Sequence, residues 1–325
     1  MTRVERNNMA IPIMTKPKQE QLQPPEESSL KLMLENNLSQ AVENLIKVWG
    51  LQYRVGDEMS APDHITGERR KTGKFVLEDL LTGADLWLKK FITEDSETVA
   101  MKSEARKLSK IDDEVLILGE TGTGKELIAR AMIGDRDGAF KRINCAAMPK
   151  ELIESELFGH KAGAFTGANS SKQGLMVAAK SGVLFLDEIG DLPLDTQAKV
   201  LNCLQPIDGK RWVRPVGSNE EIEITCRIVC ATHRDLKSMV AESKFRIDLY
   251  ARISTFELSI KPLRQRKCDI VPIIREIGSN LRQEDKTKEF INKHMDAIMN
   301  DRLDLSLNVR SLEQYLKRYC VLGRV

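Results

Sequence analysis

An α/β fold with a five-stranded, largely parallel sheet flanked by helices is predicted by two observations. Apolar runs suited to buried strands recur at Val115 to Leu118, Lys141 to Asn144, Val183 to Leu186, Arg227 to Ala231 and Thr255 to Ile260, with helical or irregular sequence between them. The first run leads straight into Gly119-Glu120-Thr121-Gly122-Thr123-Gly124-Lys125, followed by Leu127, Ile128, Ala131 and Met132 at helical spacing. Strand, glycine loop and helix in that order are what a phosphate-binding loop requires.

The chemistry of that loop follows from its residues. Glycines let consecutive N–H groups turn toward phosphate oxygens, the helix N-terminus adds partial positive charge, and Lys125 adds a full one. A nucleoside triphosphate is the implied ligand. Glu126 departs from the usual motif, standing where a Ser or Thr normally touches Mg²⁺.

The flanking segments read differently. Residues 1 to 28 place Pro12, Pro17, Pro24 and Pro25 among polar residues, a composition expected to form a disordered tail. From Leu30 to Trp49 apolar residues recur at helical spacing, so residues 29 to 96 are expected to be mostly helical. Between them lies a polar stretch, 55 to 74, whose Arg69, Arg70, Lys71 and Lys74 read as a solvated loop before a patch for phosphates. Helices are expected over Phe75 to Ile92 and Glu97 to Leu108.

Composition excludes several classes. With 50 basic and 48 acidic residues the formal charge is +2, so no global field points to nucleic acid or membrane. Six cysteines show no CxxC pair, which argues for buried free thiols over zinc or disulfides. No apolar run of about 18 residues occurs, so a cytoplasmic protein without membrane contact is expected.

Catalytic candidates sit where strands of such a sheet end. Val183 to Leu186 runs into Asp187-Glu188: Asp187 would hold Mg²⁺ and Glu188 would orient and polarise the attacking water. A solvated acidic turn is the plain alternative, and the glycine loop decides against it. Thr232 and His233 end the next strand and could sense a terminal phosphate. Asn144, ending the strand before, could hydrogen-bond Glu188 and hold it out of line.

Here the residues carry a resemblance. The stretches GETGTGKELIARAM, INCAAMPKELIESELFGHKAGAFTGA, GVLFLDEIGDLPLDTQAKVLNCLQ, FRIDLYARI and LNVRSLEQ resemble the AAA+ domain of bacterial enhancer-binding proteins, which remodel RNA polymerase carrying sigma-54. The most specific element is Gly163-Ala164-Phe165-Thr166-Gly167-Ala168, and the family tolerates Glu at position 126. The resemblance implies an ATP- and Mg²⁺-dependent ATPase with an AAA+ nucleotide-binding subdomain over 97–262 and a helical lid over 263–325. It also implies a homo-oligomeric ring, a hexamer, with sigma-54 factor and RNA polymerase as partners of the 163–168 loop.

Residue by residue, the resemblance implies that Lys125 binds phosphate, Asp187 serves Mg²⁺, Glu188 activates water and Asn144 switches Glu188. Arg246 and Arg252 would reach a neighbour's nucleotide, and Arg310 would sense the phosphates in its own subunit. Three positions depart from the pattern: His233 replaces Asn, Ile247 replaces an acid and Leu307 replaces Gly. DNA contact stays open, because neither a receiver pattern before residue 96 nor room for a helix-turn-helix after Arg310 is evident. Two other readings compete: a nucleic-acid remodelling ATPase, disfavoured because the loop signature lacks Lys and Arg, and a non-activating regulator.

Overall fold

The computed structural model describes Glu58–Met59, Phe75–Val76 and residues 83–324. The expected tail, the helices over 29–50 and the cluster Arg69, Arg70, Lys71 and Lys74 lie outside the described residues. The chain divides into two units, Met1–Leu81 and Thr82–Val325. In the first, Glu58–Met59 pairs antiparallel with Phe75–Val76. This corrects the start of the helix expected from Phe75: an aromatic and a β-branched residue satisfy their backbone across a strand pair there, and among the described residues the helix, α1, is Gly83–Lys90.

In the second unit α2 (Ser96–Leu108) precedes β1 (Val115–Leu118) and α3 (Lys125–Ala131). Asp95 caps α2, its carboxylate accepting from Thr98 N–H at 2.9 Å. Then follow β2 (Phe140–Asn144), α4 (Lys150–Phe158), α5 (Leu175–Ala178) and β3 (Val183–Asp187). The sheet is completed by α6 (Leu194–Leu204), β4 (Arg227–Thr232), α7 (Leu236–Ala241), α8 (Ile247–Ile253) and β5 (Phe256–Ser259). The strand order is β5-β1-β4-β3-β2, every pair parallel.

Alternation along the strands splits the core into two layers. Leu116, Leu184, Leu186, Ile228 and Cys230 face α4, α6 and α8, while Val115, Ile117, Val183, Phe185, Val229 and Ala231 face α1, α2 and α3. Both faces of the central strands are buried, which is why they read as unbroken apolar runs. Ala84, Leu88 and Phe91 belong to the second layer, so its packing begins N-terminal to residue 97. Cys145, Cys203, Cys226 and Cys230 are buried free thiols, whereas Cys268 is exposed. No described helix is long and apolar enough to cross a membrane.

A separate apolar cluster joins α9 (Ile270–Asn280), α10 (Glu284–Met299) and α11 (Val309–Leu322) through Ile274, Phe290, Ile298, Leu312 and Leu316. A buried ion pair fastens the start of this helical unit to the sheet unit. Asp269 is fully buried and accepts from Arg266 Nη1 at 2.9 Å, Thr93 Oγ1 at 2.7 Å and Glu94 N–H at 2.6 Å. Arg266 also donates to Thr123 O at 3.1 Å, inside the glycine loop. Removing one member of a buried pair strands the other's charge. Asp269→Ala is therefore expected to lower the unfolding free energy by about 3–5 kcal/mol, read as a fall in the denaturant midpoint.

Candidate nucleotide site and loop

The parallel sheet brings the C-terminal ends of β1, β2, β3 and β4 to one edge, with Asn144 opposite Asp187 and Thr232 opposite Leu118 in register. Thr121 to Glu126, Asn144, Asp187, Glu188 and Arg310 line one cleft of about 440 Å³, whose other wall comes from α9 and α11. Gly122 has φ +78°, and a Cβ there would lie 2.0 Å from Leu307 O. Only glycine satisfies both the turn and this close approach of the lid.

Lys125 is 7% exposed. Its Nζ donates to Gly119 O at 2.8 Å and Glu120 O at 3.3 Å, and lies 3.3 Å from Glu188 Oε1. Glu188 is itself held by His233, whose Nδ1 lies 2.7 Å and whose N–H 3.1 Å from Oε2, with Thr232 Oγ1 at 3.4 Å. Burial raises the Glu188 carboxyl, but the His233 hydrogen bond and the Lys125 charge outweigh it and hold it below its ordinary value. Its backbone is left-handed, φ 57°, a strained conformation for a glutamate.

No hydrogen bond joins Asn144 to Glu188. Its Oδ1 caps the following turn, accepting from Ala146 N–H at 2.9 Å, so in this arrangement the partner expected from β2 is replaced by His233 from β4. Glu126 bonds Arg130 at 2.8 Å one helical turn on, and Arg142 on β2 joins Glu126 to Asp187, the latter at 2.8 Å. Cys145, beside these carboxylates, is an inert thiol, pushed up by burial first and then by the charge of Asp187.

The glycine loop is gripped from the lid side by residues the sequence reading passed over. Arg264 makes a two-pronged pair with Glu120 at 2.7 and 2.6 Å and holds its carboxyl below the usual range. Asn308 accepts from Leu263 N–H at 2.6 Å and donates to Thr121 O at 3.0 Å and Glu120 Oε2 at 3.2 Å. Nothing local marks the contacts to Glu120 and Thr121, which span more than a hundred residues. Arg310 is exposed on the cleft wall.

The remaining arginines lie away from the cleft. Arg246 forks onto Asp248 at 3.0 and 2.7 Å, and Arg252 Nη2 lies 3.4 Å from Glu114 Oε2. Ile247 between them is 70% exposed. Gly163 to Ala168 forms the tip of a hairpin whose stem pairs Gly159–His160 with Lys172–Gln173. Lys172 and Gln173 are taken into this stem, so the helix that follows the hairpin, α5, begins only at Leu175. Gly163 and Gly167 have φ +80° and +100° with nothing within 4 Å of a Cβ, so the turn and not crowding selects glycine there. Phe165 is half-buried against the His160 ring at 5.0 Å. His160 is fixed by Ser155 Oγ at 2.7 Å and Ser170 O at 2.9 Å.

Fold and site together define a phosphate-loop domain of the AAA+ type, an α/β sheet unit closed by a helical lid. The chain matches the sigma-54 interaction domain over residues 91–259, more than half its length, and belongs to that family. It is 37% identical over 270 residues to the formate hydrogenlyase transcriptional activator FhlA of Escherichia coli, covering 80% of this chain and 38% of that protein. It is 42% identical over 241 residues to the transcriptional regulatory protein GlrR of Escherichia coli, covering 72% of this chain and 52% of that one. Among solved structures it is similar to NtrX of Brucella abortus in complex with ATP, with TM-score 0.61, 26% identity and coverage of 72% and 50%. The chain spans about half or less of the length of these relatives.

The sign of the Glu188 shift fixes a pH dependence. A carboxyl held low in the folded state adds stability above its ordinary value of 4.5, which is lost as pH falls through the folded value. The melting-temperature gap between the unmodified protein and Glu188→Gln is expected to narrow on acidification below pH 4.5. A gap constant with pH would mean that Glu188 is not so held.

Proposed function

We propose that this chain is a ring-forming ATPase that hydrolyses ATP to ADP and phosphate and uses the Gly163–Ala168 loop to remodel RNA polymerase carrying sigma-54. In this reading Lys125 holds the terminal phosphates and Glu188 polarises the attacking water once it leaves Lys125 and His233. Asp187, with phosphate oxygens and water, suits Mg²⁺, which is commonly bound through one or two carboxylates; when bound it neutralises phosphate charge. Arg310 would touch the phosphates from the lid, and Arg246 and Arg252, both away from their own cleft, would serve a neighbour in a hexameric ring.

The observation that carries the reading is the stance of Phe165. It sits half-buried at a tip whose glycines meet nothing, edge-on to the His160 ring, and a partner surface could bury the exposed half for about half of the roughly 1.5–3 kcal/mol that full burial of such a side chain is worth.

Lys125→Ala is expected to abolish nucleotide binding, and Glu188→Gln to bind ATP while hydrolysing it very slowly. Phe165→Ala is expected to keep hydrolysis and assembly but lose capture of sigma-54 in the presence of an ATP transition-state mimic. Capture at full strength would remove the loop from the contact.

A second reading has its own support, since the double hold of His233 on Glu188 would slow the release of the general base. A non-activating regulator would then assemble with nucleotide but turn it over poorly. Steady-state ATPase of the unmodified protein, compared with His233→Asn, separates the two.

A further inference from the structure

Glu114, the residue before β1, lies at the opposite end of that strand from the glycine loop and belongs to none of the site's motifs. Its side chain is 5% exposed and is met by two arginines from distant elements. Arg211 Nη1 donates to Oε1 at 3.2 Å, while Arg252 Nη2 approaches Oε2 at 3.4 Å. A carboxylate so buried is held only if paired, and these two pairs are what hold it. Arg252 is anchored at one end only: its side chain is 41% exposed, and its Nε is buried without a hydrogen-bond partner among the described residues. The contact to Glu114 is therefore, among the described residues, the one polar tether that directs this guanidinium.

Arg211 carries the same carboxylate in another direction. It opens the hairpin in which Arg211–Val213 pairs with Ile222–Ile224, and its Nη2 donates to Cys226 O at 2.6 Å. The tip of that hairpin braces the stem of the Phe165 loop. Val216 N–H donates to Gly159 O at 2.9 Å, and Val216 O accepts from Lys161 N–H at 3.0 Å. Lys161 pairs with Glu220 at 2.7 Å, and Gly217 packs against Ala164.

We propose that Glu114 is a positioning residue that aims Arg252 toward a neighbouring subunit's nucleotide and, through Arg211, ties that arginine to the hairpin bracing the Gly163–Ala168 loop. The proposal rests on the trans role given to Arg252 above. It supplies a physical connection between a neighbour's phosphates and this subunit's loop: a shift of Arg252 toward phosphate withdraws one of the two charges on Glu114, and Arg211 with its hairpin must answer.

The test mixes two full-length chains, one carrying Lys125→Ala, which lacks a working site but can donate Arg252, and one carrying Arg252→Ala, which keeps its site but cannot donate. Their mixture is expected to regain ATP turnover. Adding Glu114→Gln to the Lys125→Ala donor is expected to cut that turnover by roughly ten- to a hundredfold, the scale of a small misplacement of a catalytic group. Adding it to the Arg252→Ala chain instead is expected to leave the turnover unchanged, an asymmetry that general destabilisation would not produce. Equal losses in both placements, or none in either, overturn the anchor; no gain from the parent mixture sinks the trans role of Arg252 and the anchor with it. Amide hydrogen exchange reads the second arm: Glu114→Gln should speed exchange at Lys161 and Val216, and unchanged exchange there overturns the link to the loop.

Discussion

Burying the ammonium of Lys125 beneath the glycine loop forces its neighbours into place, because a buried positive charge must be matched by acceptors within reach. Two of those acceptors are carbonyls of the loop itself, Gly119 and Glu120, so the same contacts that hold the lysine bend the loop around it. The third is Glu188, which reaches Lys125 from β3 with a left-handed backbone. The strand order explains the rest: β4 lies between β1 and β3, so Thr232 and His233 necessarily end between the glycine loop and Glu188. β2 flanks β3 on the other side, but Asn144 at its end turns its Oδ1 to Ala146 N–H, so the hold on the carboxylate comes from the β4 side here.

The lid holds the loop by its carbonyls and by Glu120, leaving the inward face to the cleft. Arg264, Arg266 and Asn308 all reach residues between Glu120 and Thr123. Each contact ties the orientation of α9 and α11 to the geometry of the loop, and Arg310 extends from the same segment onto the cleft wall. A change in the geometry of the loop is in this way a change at the lid.

The sheet was legible because its strands are buried on both faces and so stand out as apolar runs, and the site because a phosphate-loop sheet gathers strand ends. Lys125, Asp187 and Glu188 could be assigned to one edge on that argument alone. Side-chain pairings were not legible, since they depend on strand order and on contacts across long stretches of chain. Glu188 turning to His233, Asn308 gripping Thr121 and Arg252 resting on Glu114 are all of this kind. Arg142 is an intermediate case: period-two alternation puts it on the same face of β2 as Asn144, a signal present in the sequence but silent without knowing that Asp187 lies next to that strand. The short hairpins at 159–173 and 211–224 left no clear trace because strands of two or three residues carry too little periodicity. The helix misread at Phe75 had the reverse fault, a few apolar residues that fit two periods.

Glu126 is where the local chemistry departs most from a hydroxyl-bearing loop, and the structure supplies the compensation. A carboxylate there adds negative charge beside Asp187 at the mouth of the glycine loop, and unbalanced it would oppose the approach of an anion. Arg130 and Arg142 both reach it. Arg130 is steadied between the Trp87 and Phe140 rings, 4.9 and 4.6 Å from their centroids, so it is offered to Glu126 in a fixed pose. Arg142 spreads its two arms over Glu126 and Asp187 at once, which a lysine's single ammonium could not do in the same geometry. The extra acid at the first turn of α3 is thereby absorbed into a chain of alternating charges running from Arg130 through Glu126 and Arg142 to Asp187.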